Sequence, residues 1–298
     1  MTETGAREVV HVRAPGKINV SLAVGAVMED GYHDVATTYQ AVSLYEEIRA
    51  YPADDFSVSF TGDFDLSGVP LDASNLAIKA AQLLARKAKY RGGVRLEIQK
   101  NVPIAGGMGG GSADAAAAIL AVEKVWHLEL SKEVKLAAAA SLGADVPFAL
   151  LGGSASGLGV GDDLKSIKQT SELHWVLVPS DFGLSTPSVF AELDRIRTKR
   201  NQDPTTVKNA SMSARLTTAL RVGASAEEIA PLLHNDLQEA AVSLRPELQQ
   251  ILDLEQQVFA LRAIVSGSGP TIAFLARDAN DAITIASRLR TYGQQAIV

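Results

Sequence analysis

The 298-residue chain contains no cysteine. A disulfide framework, a thiolate nucleophile and a cysteine-ligated zinc site are therefore excluded, which fits a reducing cytoplasm. It also lacks an excess of basic residues: the formal net charge is −6, a poor basis for nonspecific binding to nucleic acid or to a membrane surface. An anionic ligand would need a local site that overrides the global field. Long apolar runs are missing too. The uncharged stretch Val146–Gly161 is broken by Pro147 and several glycines, and nothing approaches the ~18 apolar residues of a membrane helix. Met1 to Val12 carries Glu3, Arg7 and Glu8 with no apolar core, so no signal peptide is visible there. There is no internal repeat and no low-complexity tail.

What is present is an ordinary globular mixture, 47% hydrophobic and 21% charged, enough for a sizeable core and for one large or two ordinary domains. Val9–Arg13 reads as a strand ending at Ala14-Pro15-Gly16, and Phe56–Thr61 alternates as another. Asn75–Lys89 has apolar residues at helical spacing. Val94, Leu96 and Ile98 alternate with polar neighbours as a half-buried strand. An Ala-rich run, Ala113–Val122, follows a glycine turn, and Ser131 is placed to cap a helix ending near Gly143. Further on, His174–Pro179 reads as a strand, Thr198–Ser213 as a polar loop, and Ser225 with Glu228 as a capping box. Ala263–Val265 and Thr271–Ala276 read as strands around a Gly-Ser-Gly turn, and Asp278–Tyr292 as a last helix closed by Gly293. Strands and helices do not alternate as clean βαβ units, so the fold class is α+β, with a break between about Gly161 and His174.

The densest chemical signal is Pro103-Ile104-Ala105-Gly106-Gly107-Met108-Gly109-Gly110-Gly111-Ser112-Ala113. It follows a strand and opens a helix. Glycine lets backbone approach a ligand closely, and a helix start offers unpaired N–H groups with a positive dipole end. Together these make a polyphosphate site, with the Ser112 hydroxyl in reach of a phosphate or a metal. No Gly-Lys-Ser/Thr follows, so it is not a Walker A loop, and the βαβ context of a dinucleotide fingerprint is missing. The alternative is a flexible turn or a tight helix–strand contact. Lys100 ends the preceding strand and reads equally as a phosphate ligand or a solvated lysine. Asp114 suits a helix start, by capping or ion pairing ahead of metal ligation.

Four smaller clusters follow. Lys17 and Asn19 share one strand face. Asp30-Gly31 signals a turn, after which Tyr32 offers a flat ring and His33 a donor and an acceptor for a base edge, or both simply pack. Asp145 lies between Gly143 and Pro147 among apolar neighbours, either in a local Asx-turn or as a partnered acid. Ser266-Gly267-Ser268-Gly269-Pro270 is a second glycine turn, able to close over a phosphate or to serve as a plain hairpin.

Three of these motifs, in this order, resemble the GHMP kinases: Ala14-Pro15-Gly16-Lys17-Ile18-Asn19, the Pro103–Ala113 segment, and Ser266–Thr271. The resemblance spans nearly the whole chain. Asp30–His33, Leu142–Phe148 and Ser185–Phe190 look most like members whose acceptor is a cytidine-diphosphate-linked methylerythritol alcohol, and the text around them, including Trp126 and Asn235-Asp236-Leu237, resembles actinobacterial members. The resemblance implies a two-domain α+β fold, a ribosomal-protein-S5-domain-2-like domain over 1–165 and a ferredoxin-like domain over 166–298. It implies a cytoplasmic ATP-dependent kinase of isoprenoid precursor synthesis, acting on a small molecule as a monomer or homodimer. Pro103–Ala113 would hold ATP, with Asn75 and Lys100 near the nucleotide and Mg²⁺ brought by ATP, Ser112 close to it. Lys17 and Asp145 would be catalytic. Asn19, Tyr32, His33, Thr186 and Phe190 would bind the acceptor. Ala113-Asp114 departs from the Ser-Asn of many members and places a charge beside the phosphates.

Overall fold

The computed structural model describes residues 9–298; the stretch before Val9, read above for a leader, lies outside the described residues. The chain divides into two compact units that are not sequential. The first holds residues 9–16, Val42–Ile104 and Gly109–Gly152; the second holds Lys17–Ala41, Ala105–Met108 and Gly153–Val298. Two long strands, β1 (Val10–Val27) and β2 (His33–Ala53), contribute residues to both.

In the first unit, β4 (Gly93–Lys100) lies between β2, antiparallel, and β3 (Phe56–Gly62), parallel. The alternation read in β4 is the observed one: Val94, Leu96 and Ile98 are buried, Arg95 and Gln99 exposed. Helix α1 (Leu76–Ala88) starts where Asn75 Oδ1 accepts from the N–H groups of Ala77 and Ile78, at 2.9 and 3.3 Å. It ends at Lys89 in a left-handed conformation, with Arg86 and Lys87 against the negative dipole end. Helix α2 (Gly110–Val125) packs on α1, and small side chains (Ala77, Ala80, Ala81 against the Ala113–Ala118 run) let the two come close. Trp126 closes the layer by donating from Nε1 to the Gly93 carbonyl at 3.1 Å. Helix α3 (Lys132–Ala140) is capped by Ser131, whose hydroxyl accepts from Val134 N, and α4 (Val146–Leu151) follows.

In the second unit, β5 (Ser154–Leu158) pairs with residues 37–40 of β2 and with β6 (Asp163–Ile167). A separate antiparallel sheet has the order β7 (His174–Val178), β10 (Ile272–Ala276), β9 (Arg262–Val265). Between β7 and β9 come α5 (Thr186–Lys199), α6 (Ala214–Val222), the one-turn α7 (Ala226–Ile229) and the two-residue β8 (His234–Asn235). The short helices α8 (Gln238–Leu244), α9 (Glu247–Leu252) and α10 (Leu254–Gln257) follow. The last helix, α11 (Ala279–Thr291), packs on β7 and β10 around fully buried Phe274. The Ser225–Glu228 capping box is present in both directions, and β8 runs parallel to β1 at Ser21 and Leu22.

Two expectations are corrected. β1 does not stop at Gly16 but continues to Val27. From Lys17 to Leu22 every residue is buried, so both faces of the strand are covered and no alternation marks it. The looped reading of Thr198–Ser213 also changes. Thr198 and Lys199 close α5, and the remaining loop is tethered: Val27 N donates to Pro204 O at 3.0 Å, and Ala210 N to Asp34 Oδ2 at 2.7 Å. Among the described residues no helix is long and apolar enough to cross a membrane.

Candidate active site

The second unit brings parts of the three sequence motifs together. The Lys17 ammonium donates to Asn19 Oδ1 at 2.7 Å and to the Gly107 carbonyl at 2.9 Å. Lys17 N donates to Met108 O at 2.9 Å. Asn19 is held in turn by Thr37, whose hydroxyl accepts from Asn19 Nδ2 at 2.8 Å and donates to Ser21 O. From the third motif, Ser266 Oγ donates to Gly107 O at 3.2 Å and Thr271 N to Gly106 O at 3.2 Å. Gly107 has φ 75°, and a Cβ there would run into the Ser266 carbonyl. Its glycine is therefore required twice, by conformation and by space. Asn235 pins the Ser266–Pro270 turn by donating to the Val265 and Gly267 carbonyls at 2.7 and 2.8 Å.

Residues expected to bind the acceptor also lie in this unit. Asp30-Gly31 forms the turn between β1 and β2, with Tyr32 N donating to Asp30 Oδ1 and Gly31 at φ 83°. Tyr32 is 65% exposed, whereas His33 is 8% exposed. His33 Nε2 lies 3.0 Å from Asp194 Oδ1, and its ring is 4.8 Å from that of Phe190, tilted by 33°. The ring is thus held by a carboxylate on one side and an aromatic on the other. The hydroxyls of Thr186 and Ser268 are 2.8 Å apart, joining the start of α5 to the second glycine turn.

In the first unit, α2 opens at Gly109 (φ 71°) with no side-chain cap. Intrahelical bonding starts with Ala113 N donating to Gly109 O, so the helix start keeps the unpaired N–H groups that suit an anion. Ser112 is half-buried at that end, and Pro103 and Ile104 lead into the loop. Asp145 is the N-cap residue of α4 but makes no side-chain cap bond, which removes the local-turn reading of its carboxylate.

The side chains of Asn75 and Lys100, expected near the nucleotide, have partners within the first unit. Asn75 is the cap of α1, and its amide donates to Pro70 O. Lys100 is 3% exposed, with its ammonium 2.7 Å from Asp114 Oδ2 and 2.5 Å from Glu46 Oε1. Glu46 Oε2 accepts from Asn101 N at 3.0 Å. Burial first, then the Asp114 charge, pushes the Glu46 carboxyl up to about 7 against the pull of Lys100. Burial also raises Asp114, with Lys100 opposing. Sequence reasoning missed Glu46, Thr37 and Asp194. Thr37 lies where β2 is buried on both faces and no alternation reveals it, Glu46 is a charged residue at a buried position of the same strand, and Asp194 is an unremarkable helical acid until His33 is seen beside it.

Residues 75–153 match the GHMP kinases N-terminal domain and residues 217–295 the GHMP kinases C-terminal domain. The chain belongs to the GHMP kinase family. It is 54% identical over 280 residues to a 4-diphosphocytidyl-2-C-methyl-D-erythritol kinase of Leifsonia xyli, covering 93% of this chain and 91% of that one. Identity to the enzyme of the same name from Clavibacter michiganensis is 53%, over 93% and 89%. A crystal structure of 4-(cytidine 5'-diphospho)-2C-methyl-D-erythritol kinase superposes with TM-score 0.76 at 30% identity, covering 97% of each chain. A mevalonate kinase from L. major superposes at 0.75 with 17% identity, a likeness of fold.

Proposed function

We infer that this chain transfers the γ-phosphoryl group of ATP to the C2 hydroxyl of 4-diphosphocytidyl-2-C-methyl-D-erythritol, a step of non-mevalonate isoprenoid precursor synthesis. The observation that carries the reading is the pair of relatives bearing that enzyme's name at 54% and 53% identity over 93% of the chain. The convergence of Lys17, Gly107 and Ser266 supports a kinase, and the His33–Phe190–Asp194 cluster supports an acceptor that carries a base.

Phosphoryl transfer is mostly positioning and charge stabilisation. In this reading Pro103–Ala113 cradles the ATP phosphates with backbone N–H groups aimed where charge develops. Among the described residues no group of three or more His, Asp or Glu forms a metal cage. Mg²⁺ is proposed to arrive on the phosphates, with the Ser112 hydroxyl as its protein partner, where it would neutralise phosphate charge. Asp145 receives or orients the acceptor hydroxyl, and Lys17, fixed by Asn19 and the Gly107 carbonyl, stabilises the developing alkoxide. Asn19, Tyr32, His33, Thr186 and Phe190 hold the acceptor, with His33 on the base edge. The family's N-terminal domain is assigned to 1–165 and its C-terminal domain to 166–298, consistent with matches at 75–153 and 217–295. The acidic charge of −6 supports a protein that does not bind nucleic acid, acting in the cytoplasm as a monomer or homodimer.

Phosphorus NMR of the product tests the regiochemistry. C2 is a tertiary carbon, so a phosphomonoester there has no geminal proton and shows no three-bond proton splitting. An uncoupled new resonance supports the reading. A split one places the phosphate on another hydroxyl and overturns it.

A further inference from the structure

The glycine loop leaves the first unit's sheet at Lys100, the last residue of β4, and returns as α2, in whose first turns Asp114 lies. These two side chains, fourteen residues apart, meet at 2.7 Å, and both are under 5% exposed. Glu46, with no exposed surface, adds a third member from β2: Oε1 stands 2.5 Å from the ammonium, and Oε2 accepts from the Asn101 N–H, the first residue of the departing loop. Asn101 is fixed a second time by donating from Nδ2 to Tyr45 O at 2.8 Å. On the returning side, Gly110 stands so close that a Cβ there would lie 3.0 Å from Glu46 Oε1. Both ends of the loop therefore rest on the same three side chains.

We propose that Lys100, Asp114 and Glu46 form a clasp that sets the separation and direction of the two ends of the phosphate loop, acting as positioning residues for ATP rather than as its ligands. The proposal rests on the reading of Pro103–Ala113 as the phosphate loop. A buried ammonium held between Asp114 and Glu46 cannot turn to a phosphate without leaving the buried Asp114 carboxylate uncompensated. Conversely, Asp114 at the N-terminal end of α2 would repel phosphate if its charge were open, and Lys100 cancels it. One Asp114 oxygen, Oδ1, is buried without a hydrogen-bond partner, so its pairing with Lys100 through Oδ2 is what keeps the carboxylate in place.

The test is a double-mutant cycle on the full chain, read by calorimetric titration with Mg-ADP and, separately, with the cytidyl acceptor. Lys100→Met and Asp114→Ala are each expected to weaken Mg-ADP binding at least tenfold. The double variant should be within twofold of the weaker single, because both remove one interaction. Asp114→Asn, whose amide oxygen still accepts from Lys100, should stay within threefold of wild type. Acceptor affinity should stay within twofold throughout. Should Lys100→Met not fold, Lys100→Gln completes the same cycle. Losses that multiply in the double variant, or a loss with Lys100→Met alone, would make Lys100 a direct nucleotide ligand and overturn the clasp. Lower thermal midpoints with unchanged Mg-ADP affinity would make the cluster merely structural and also overturn it. A wild-type chain that binds no Mg-ADP would instead refute the phosphate-loop reading beneath it.

Discussion

Glu46→Gln should make the protein more resistant to unfolding at alkaline pH. The Glu46 carboxyl is raised by burial and by Asp114 from 4.5 to about 7 in the folded protein. A folded-state value above the unfolded one means that the native protein holds this proton more tightly. Its stabilisation is complete below the unfolded value of 4.5 and is lost as pH rises through about 7. Integrated between pH 5 and pH 8, the loss is about 2–3 kcal/mol, equivalent to roughly 3–5 °C in thermal midpoint for a chain of this size. Glutamine copies the shape of the protonated acid and keeps an acceptor for Asn101 N. The variant should therefore lie within about 1 kcal/mol of wild type at pH 5, and exceed it by about 2 kcal/mol at pH 8. Urea unfolding at pH 5, 6, 7 and 8, followed by circular dichroism, reads the difference directly. Parallel pH dependences for the two proteins would refute the argument, since the raised carboxyl would then contribute nothing to the linkage.

Other outcomes follow from the same geometry. Gly107→Ala meets both a left-handed backbone and the Ser266 carbonyl; it should cost at least about 2 kcal/mol and abolish measurable Mg-ADP binding, and wild-type affinity would contradict the placement of the loop. Asp194→Asn removes the charge that holds His33; the acceptor KM should rise about tenfold, the value of one charge-assisted hydrogen bond, while the ATP KM stays within twofold. Equal rises in both would sever the link between Asp194 and the acceptor. Asp145→Asn should leave Mg-ADP affinity intact and cut kcat by ~10²-fold or more; turnover within twofold of wild type would remove Asp145 from the chemistry.

Much of this molecule was legible before its structure. Ser131 and Ser225 marked helix starts because capping is a local event, written within four residues. Val94, Leu96 and Ile98 marked β4 because one face of that strand is buried and the other is not. The long strand β2 was not read, and β1 was cut short, because burial on both faces of residues 17–22 and 35–40 erases the period of two. The glycine loop stood out by composition alone, but the contact of Gly107 with Lys17 and Ser266 joins residues 90 and 159 positions away, beyond any spacing rule. Lys100 shows the limit most plainly. Its neighbours in sequence suit a strand-end cation reaching outward, while its neighbours in space, Glu46 and Asp114, enclose it.

The most direct test of the function is coupled ADP release by the purified chain with Mg-ATP, comparing 4-diphosphocytidyl-2-C-methyl-D-erythritol with mevalonate, homoserine and galactose. Turnover on the cytidine-linked alcohol alone is the expected result. Turnover on another of the four, with none on that alcohol, would keep the GHMP kinase fold and contradict the acceptor assigned to His33 and its neighbours.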